Sequence, residues 1–155
     1  MIVNHWTSEV PERIESVTQG ENDFRPKPRG FWVSDDSPDN WETWCYHEEF
    51  ARETFVHKMV IDLDTKFILQ ITSGHELDIF TDMYEVKLLD CIVGINWAEV
   101  AKAYSGILIM PYLWERRLSD KTPWYYGWDC SSGCIWDSDA IRAWYVEKKK
   151  VDVGG

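Results

Sequence analysis

The chain has 155 residues, enough for one compact domain with a single core and little more. Twenty-seven Asp and Glu against sixteen Lys and Arg give a formal net charge of −11. That balance opposes a phosphate backbone, excludes bulk nucleic-acid binding unless the fold gathers its cations on one face, and suits a basic protein partner.

In chain order, "IVNHW" (2–6) reads as a first strand, and Thr7 or Ser8 caps an expected helix running to about Val17. A polar loop, "QGENDFRPKPRG", contains Pro26 and Pro28 and precedes a second strand, "GFWVS". Ser37-Pro38 opens a helix with Trp41, Trp44 and Cys45 on one stripe. "TFVHKMVIDL" and "FILQI" are strands separated by the turn "DTK". Ser73 with Glu76, and Asn96 with Glu99, form capping boxes, so "HELDIFTDMY" and "WAEVAKAY" are helices. "SGILIMPY" is a buried strand stopped by Pro111, "WERRLSDKTPWYYGWDCSS" a long connection, and "GCIWD" a strand. "SDAIRAWYVEKKK" is a terminal element fading into a basic tail. The expectation is one α+β domain over residues 1–147 with a solvated tail at 148–155.

Ten Trp and seven Tyr are more than a core of this size needs, which points to an aromatic-lined ligand cleft. The connection bearing Trp124, Tyr125, Tyr126 and Trp128 is the expected place to recognise a target, while Arg116-Arg117 and the acidic pairs Asp35-Asp36 and Glu48-Glu49 read as solvated. No metal site is expected. Cys45, His47, Cys130 and Cys134 lack finger spacing, and two cysteines four residues apart on one strand stand roughly 13 Å apart. With no apolar run of spanning length and no signal segment, the expectation is a soluble cytoplasmic protein with no membrane partner, whose Cys45, Cys91, Cys130 and Cys134 are free thiols. GxSxG, a glycine-rich phosphate loop and HExxH are all absent.

"NHWTS", then a helix, a loop and "RGFWVSDDSPDNWETWC", resembles the ADP-ribosyltransferase family in its His-Tyr-acid branch, that of the diphtheria-type toxins and poly(ADP-ribose) polymerases. His5, Thr7 and Ser8 match the first-strand motif, with Trp6 where glycine is frequent. Gly30, Phe31, Trp32, Val33, Ser34 and Asp35 match the second motif, and Trp44 or Trp41 stands where a second aromatic follows. "GWDCSSGCIWDSDAI" is similar to the last core strand, which carries the catalytic acid ahead of an aromatic-Asp pair. Two departures are evident: Trp32 replaces the usual Tyr, and Ser131 or Ser132 overlays the usual Glu.

The resemblance implies an α+β fold with a split, mixed or antiparallel β core flanked by helices. It also implies cleavage of the nicotinamide–ribose bond of NAD, with transfer of ADP-ribose to a host macromolecule, protein rather than nucleic acid, in a phage effector or toxin acting in the host cytoplasm. On the same site the alternatives are an NAD glycohydrolase and a non-catalytic binding or inhibitor module. His5 would bond a ribose hydroxyl, with Trp6, Thr7 and Ser8 beside it. Trp32 with Trp41 or Trp44 would wall the nicotinamide, and Phe31 and Ser34 would complete that strand of the NAD site. Gly30 would let the backbone approach the ligand, and Arg29 is either a solvated charge or a pyrophosphate partner. Asp129, ahead of the last strand, is the candidate for the missing acid, with Gly127 supplying the bend it needs.

Overall fold

The structure, a computed structural model, describes residues 1–88 and 91–148. Its elements in chain order are β1 (Ile2–Thr7), β2 (Phe31–Ser34), α1 (Trp41–Glu48), β3 (His57–Leu63), β4 (Ile68–Ile71), α2 (Gly74–Tyr84), β5 (Glu85–Leu88), β6 (Cys91–Ile95), α3 (Trp97–Ala103), β7 (Gly106–Ile109), β8 (Ser132–Ile135) and β9 (Ile141–Val146). Seven strands form one sheet in the order β4-β7-β8-β2-β1-β3-β9. The β4–β7 pair is parallel and every other pair in the sheet antiparallel. The chain is therefore α+β.

Strand alternation sends side chains to two faces. On one face Ile71, Ile107, Ile109 and Cys134 meet Leu77 and Phe80 of α2, Trp97 and Val100 of α3, and an aromatic group containing Trp124, Tyr125, Trp128 and Trp136. On the other, Val3, Val33, Met59, Ile61, Leu63, Leu108 and Ile135 pack together, with Val10 and Ile14 laid over them.

Two helix starts follow directly from local chemistry. Ser73 Oγ accepts from the Glu76 backbone N–H at 3.2 Å, and Asn96 Oδ1 accepts from the Glu99 N–H at 3.3 Å. The Glu76 carboxylate accepts from the Thr72 and Ser73 hydroxyls, which holds its pKa below the usual carboxylate value.

Other expectations are corrected. The helix after Ser8 does not form, and residues 8–30 run as an irregular segment. The Thr7 hydroxyl makes only a local turn with Glu9, and the segment is instead tied down by distant groups. Val17 N–H donates to the Trp136 carbonyl at 2.8 Å, and the Gln19 amide clamps both backbone groups of Arg29 at 2.6 and 3.0 Å. Val10, Ile14 and Val17 have helical spacing, yet tertiary partners outweigh it. Helix α1 starts later than Ser37-Pro38, because Asn40 Oδ1 caps Thr43 N–H while Ser37 bonds back to Asp35. The β5–β6 hairpin, over a stretch without an expected element, adds a second small sheet.

The long connection is no exposed recognition loop. Trp124, Tyr125 and Trp128 are 3, 0 and 1 % exposed, and of the four aromatics only Tyr126 faces solvent. Arg116 is not simply solvated, since its guanidinium forks onto both Asp78 carboxylate oxygens at 2.9 Å. Arg117 donates to the Tyr112 hydroxyl at 3.0 Å and lies over the Tyr126 ring. Of the expected tail, residues 149–155 lie outside the described residues. Among the described residues no helix is long and apolar enough to cross a membrane.

Candidate functional site

Strands β8, β2 and β1 are neighbours, so the three segments that carry the family resemblance lie side by side. Their register sets Trp32 opposite Cys134, Ser34 opposite Ser132 and Asn4 opposite Ser34. Ser34 knots the end of this seam to α1. Its hydroxyl donates to the Ser131 carbonyl at 2.7 Å and accepts from the Trp41 N–H at 2.9 Å. Asp35 reinforces the knot by accepting from the Ser131 hydroxyl at 2.8 Å, and Asp36 accepts from the Asn4 amide at 3.1 Å. The Asp35-Asp36 pair, expected to be solvated, thus has structural partners.

Beside this knot lies a cavity of about 390 Å³. Six of the twelve site residues expected from sequence line it: His5, Trp6, Trp32, Ser34, Trp41 and Asp129. Thr7, Ser8, Arg29, Gly30, Phe31 and Trp44 are not in its lining. Arg29 turns to Asp23, with Nε and Nη2 at 3.1 and 3.0 Å from one carboxylate oxygen. Gly30, at φ +153°, is needed for β8: a Cβ there would stand 2.6 Å from the Ile135 carbonyl and 2.8 Å from Cys134 Sγ. Trp44 stacks on Trp41 with ring centroids 5.5 Å apart and planes 13° from parallel, so it backs the wall that Trp41 presents.

His5 and Trp32 meet through the backbone. The His5 ring stacks on Phe31, with centroids 4.1 Å apart, and alternation along β2 puts Phe31 and Trp32 on opposite faces. His5 Nδ1 lies 2.5 Å from the Trp32 carbonyl, which can only accept, so Nδ1 carries the proton and Nε2 is left as an acceptor. Burial lowers the His5 pKa and the carbonyl partly opposes this, so the ring is neutral at neutral pH. Trp32 stands edge-on to Trp128 at 5.1 Å.

Asp129 lies just before β8 with its carboxylate 3.9 Å from Arg117 Nη2. Two thiols feel its charge. Burial first, and Asp129 second, push Cys45 up to about 11; burial, with Asp129 and Cys45 adding to it against a Ser132 hydrogen bond, pushes Cys130 up to about 12. Burial also raises Cys134. These three are protonated core thiols, unfit as nucleophiles or ligands at neutral pH. The side chain of Cys91 lies outside the described residues. Among the described residues no group of three or more His, Cys, Asp or Glu side chains could hold a metal ion.

Lys27, Ala51, Thr54, Cys130 and Ser132 also line the cavity, without having been singled out as ligand-binding residues in the sequence. Lys27 sits in a proline-bracketed loop with no periodicity, and its Nζ reaches 5.9 Å from the Trp32 ring centroid only because that loop folds back. Ala51 and Thr54 follow α1 in a turn that no sequence pattern marks. Trp128 was expected to face a target, but it lines the cavity while its indole N–H is held by the Pro26 carbonyl at 3.1 Å. Comparison with protein-family models, with curated proteins and with solved structures returned no match to the chain.

Proposed function

We propose that this chain is a mono-ADP-ribosyltransferase of the ADP-ribosyltransferase fold, acting on NAD and on a macromolecule of a host cell. The observation that carries the reading is the convergence of the three motif-bearing segments, on adjacent strands, at one aromatic-walled cavity. Its volume lies in the range of small-molecule sites and suits the nicotinamide–ribose half of NAD. Trp32 and Trp41, from a strand and a helix, wall the flat ring. The His5 ring lies on the Phe31 face, opposite Trp32, so the ribose contact expected of it does not follow from this geometry. Ser34 acts by shape, since its hydroxyl already bonds Ser131 and Trp41.

When the bond from nicotinamide to ribose breaks, positive charge develops on the sugar, as in glycoside hydrolysis. The Asp129 carboxylate stabilises that charge and the aromatic walls exclude water. The chain's net charge of −11 favours a basic protein as acceptor, met in the host cytoplasm by a phage effector or toxin.

A second reading, NAD hydrolysis on the same site, is favoured by Ser132, one of the two serines that overlay the family's Glu and the one that lines the cavity. Incubation with NAD labelled in its adenosine half separates the two. Free nicotinamide with a labelled protein band means transfer, and nicotinamide without one means hydrolysis. If NAD neither binds nor turns over, both readings fall, leaving a binding or inhibitor module. Asp129→Asn keeps the shape and removes the charge, so NAD binding should persist while turnover falls about 10²–10³-fold. Full turnover in that variant would assign the acid elsewhere.

A further inference from the structure

The buried indoles of this protein satisfy their N–H groups. Trp97 donates to the Arg25 carbonyl at 2.8 Å, Trp124 to the Thr81 hydroxyl at 2.9 Å, Trp128 to the Pro26 carbonyl at 3.1 Å and Trp136 to the Tyr104 carbonyl at 2.7 Å. Trp6 is the exception. Its Nε1 is shielded from solvent and, among the described residues, has no hydrogen-bond partner. A buried unpaired donor is costly, and native structures keep few of them. This one belongs to a side chain that lines the cavity.

The segment from Glu49 to Phe55 lies against the Trp6 side chain, and Lys58 Nζ of β3 stands 5.9 Å from its ring centroid. Phe55 packs on the Trp6 ring with centroids 5.2 Å apart, and Ala51 and Thr54 line the cavity beside it. Beyond the packing of Phe50 on Trp41 and Trp44 and of Phe55 on Trp6, little holds the segment down. None of its residues is buried, and among the described residues its hydrogen bonds stay local. Phe50 N–H bonds the Cys45 carbonyl, Thr54 bonds Ala51, Phe55 bonds Arg52, and Arg52 bonds the Tyr46 carbonyl. Two residues other than glycine, Glu49 and Ala51, both at φ 52°, take the left-handed conformation that side chains disfavour. Local hydrogen bonding without buried side chains marks a unit that opens well below the cost of global unfolding.

We propose that residues 49–55 are a lid over Trp6, and that with the lid lifted Trp6 Nε1–H donates to a carbonyl or hydroxyl oxygen of a flat-ringed ligand in the cavity. An indole N–H can only donate, so the complementary ligand group is an acceptor. Lid opening relieves the unpaired donor, and the ligand's oxygen replaces the partner that the closed protein lacks. That the ligand is NAD rests on the function proposed above; the lid and the donor do not.

Trp6→Phe tests the assignment, because it keeps an aromatic ring against Phe55 and removes only the polar tip. The ligand-free variant should melt at the same temperature as the wild type or higher, while its affinity for NAD falls about tenfold, the scale of one lost hydrogen bond. A lower melting temperature with unchanged affinity would make Trp6 a packing residue and overturn the proposal. Nicotinamide alone locates the acceptor: a parallel loss puts it on the carboxamide, and an unchanged affinity puts it on the rest of NAD. Either result supports the donor. If the wild type binds neither compound, the proposed function fails, and hydrogen exchange of the indole protons decides the lid separately. Exchange at Trp6 on the order of ten times faster than at Trp97, Trp124, Trp128 and Trp136 supports a lid that lifts. Equal protection overturns it.

Discussion

Tyr112, Trp124, Tyr125, Trp128 and Trp136 are each at most 4 % exposed, whereas Trp41, Trp44 and Phe50 gather at one helix and keep part of their surface in water, Phe50 53 % of it. The first group is backed by the sheet and by α2 and α3, and each of its three indole N–H groups has a partner. In the second, Trp41 and Trp44 stack on each other and both meet Phe50 edge-on. The same residue types therefore do different work: the first group supplies stability, with Trp128 also lining the cavity, and the second keeps apolar surface partly open, with Trp41 lining it. What separates them is whether a second layer covers the rings and whether their polar tips find partners.

The contrast is most open to attack by truncation. Trp128→Ala should cost about 3–5 kcal/mol of folding stability in a denaturant titration, the usual loss for a buried large aromatic. Trp44→Ala should cost under about 1 kcal/mol, as for a partly solvated side chain. Equal losses would make the rim part of the core and remove Trp44 as the open backing of the Trp41 wall.

A smaller effect separates the seam behind the cavity from the chain entering β8. Gly30→Ala forces a Cβ against the Ile135 carbonyl and should destabilise by about 1–3 kcal/mol. At Gly127 a Cβ meets only Lys27 Cε at 3.8 Å, so Gly127→Ala should change stability by less than about 0.5 kcal/mol. A costly Gly127→Ala would instead show that the approach to Asp129 is as tightly constrained as β2.

The smallest effect concerns His5. Burial holds its folded-state pKa below the unfolded value of 6.5, so the unfolded chain takes up the proton first as pH falls. Stability from this group is constant above about 6.5 and declines below it, until the folded state is protonated as well. Melts of wild type and His5→Gln between neutral and acidic pH should show a decline that the variant lacks. An identical slope would mean that the His5 ring is solvated and not held beneath Phe31.

How much of this was legible in the sequence depended on how local the cause is. The N-caps at Ser73 and Asn96 formed where read, because donor and acceptor lie three residues apart and need no tertiary help. The return bond of a capping box is absent among the described residues: Glu76 takes the Thr72 N–H and Glu99 pairs with Lys102. The strands through Trp6, Phe31, Ile61 and Ile107 lie where alternation or apolar runs put them. The helix after Ser8 failed because the partners that hold the segment, Trp136 and Ser138, are more than a hundred residues away. Six of the expected site residues line the cavity, while Arg29 and Gly30 are occupied by Asp23 and by β8.

The sequence by itself determined the starts of α2 and α3, most of the strand segments, the acidic balance and the wealth of indole, since each follows from nearest neighbours or from counting. Only the tertiary structure decided that β8, β2 and β1 lie side by side, that the His5 ring faces Phe31 and not Trp32, that Trp124, Tyr125 and Trp128 of the long connection are core, and that the buried Nε1 of Trp6 has no partner among the described residues. The physical reason is that strand order, facing and the pairing of buried polar tips depend on contacts between residues far apart in the chain, which no local pattern encodes.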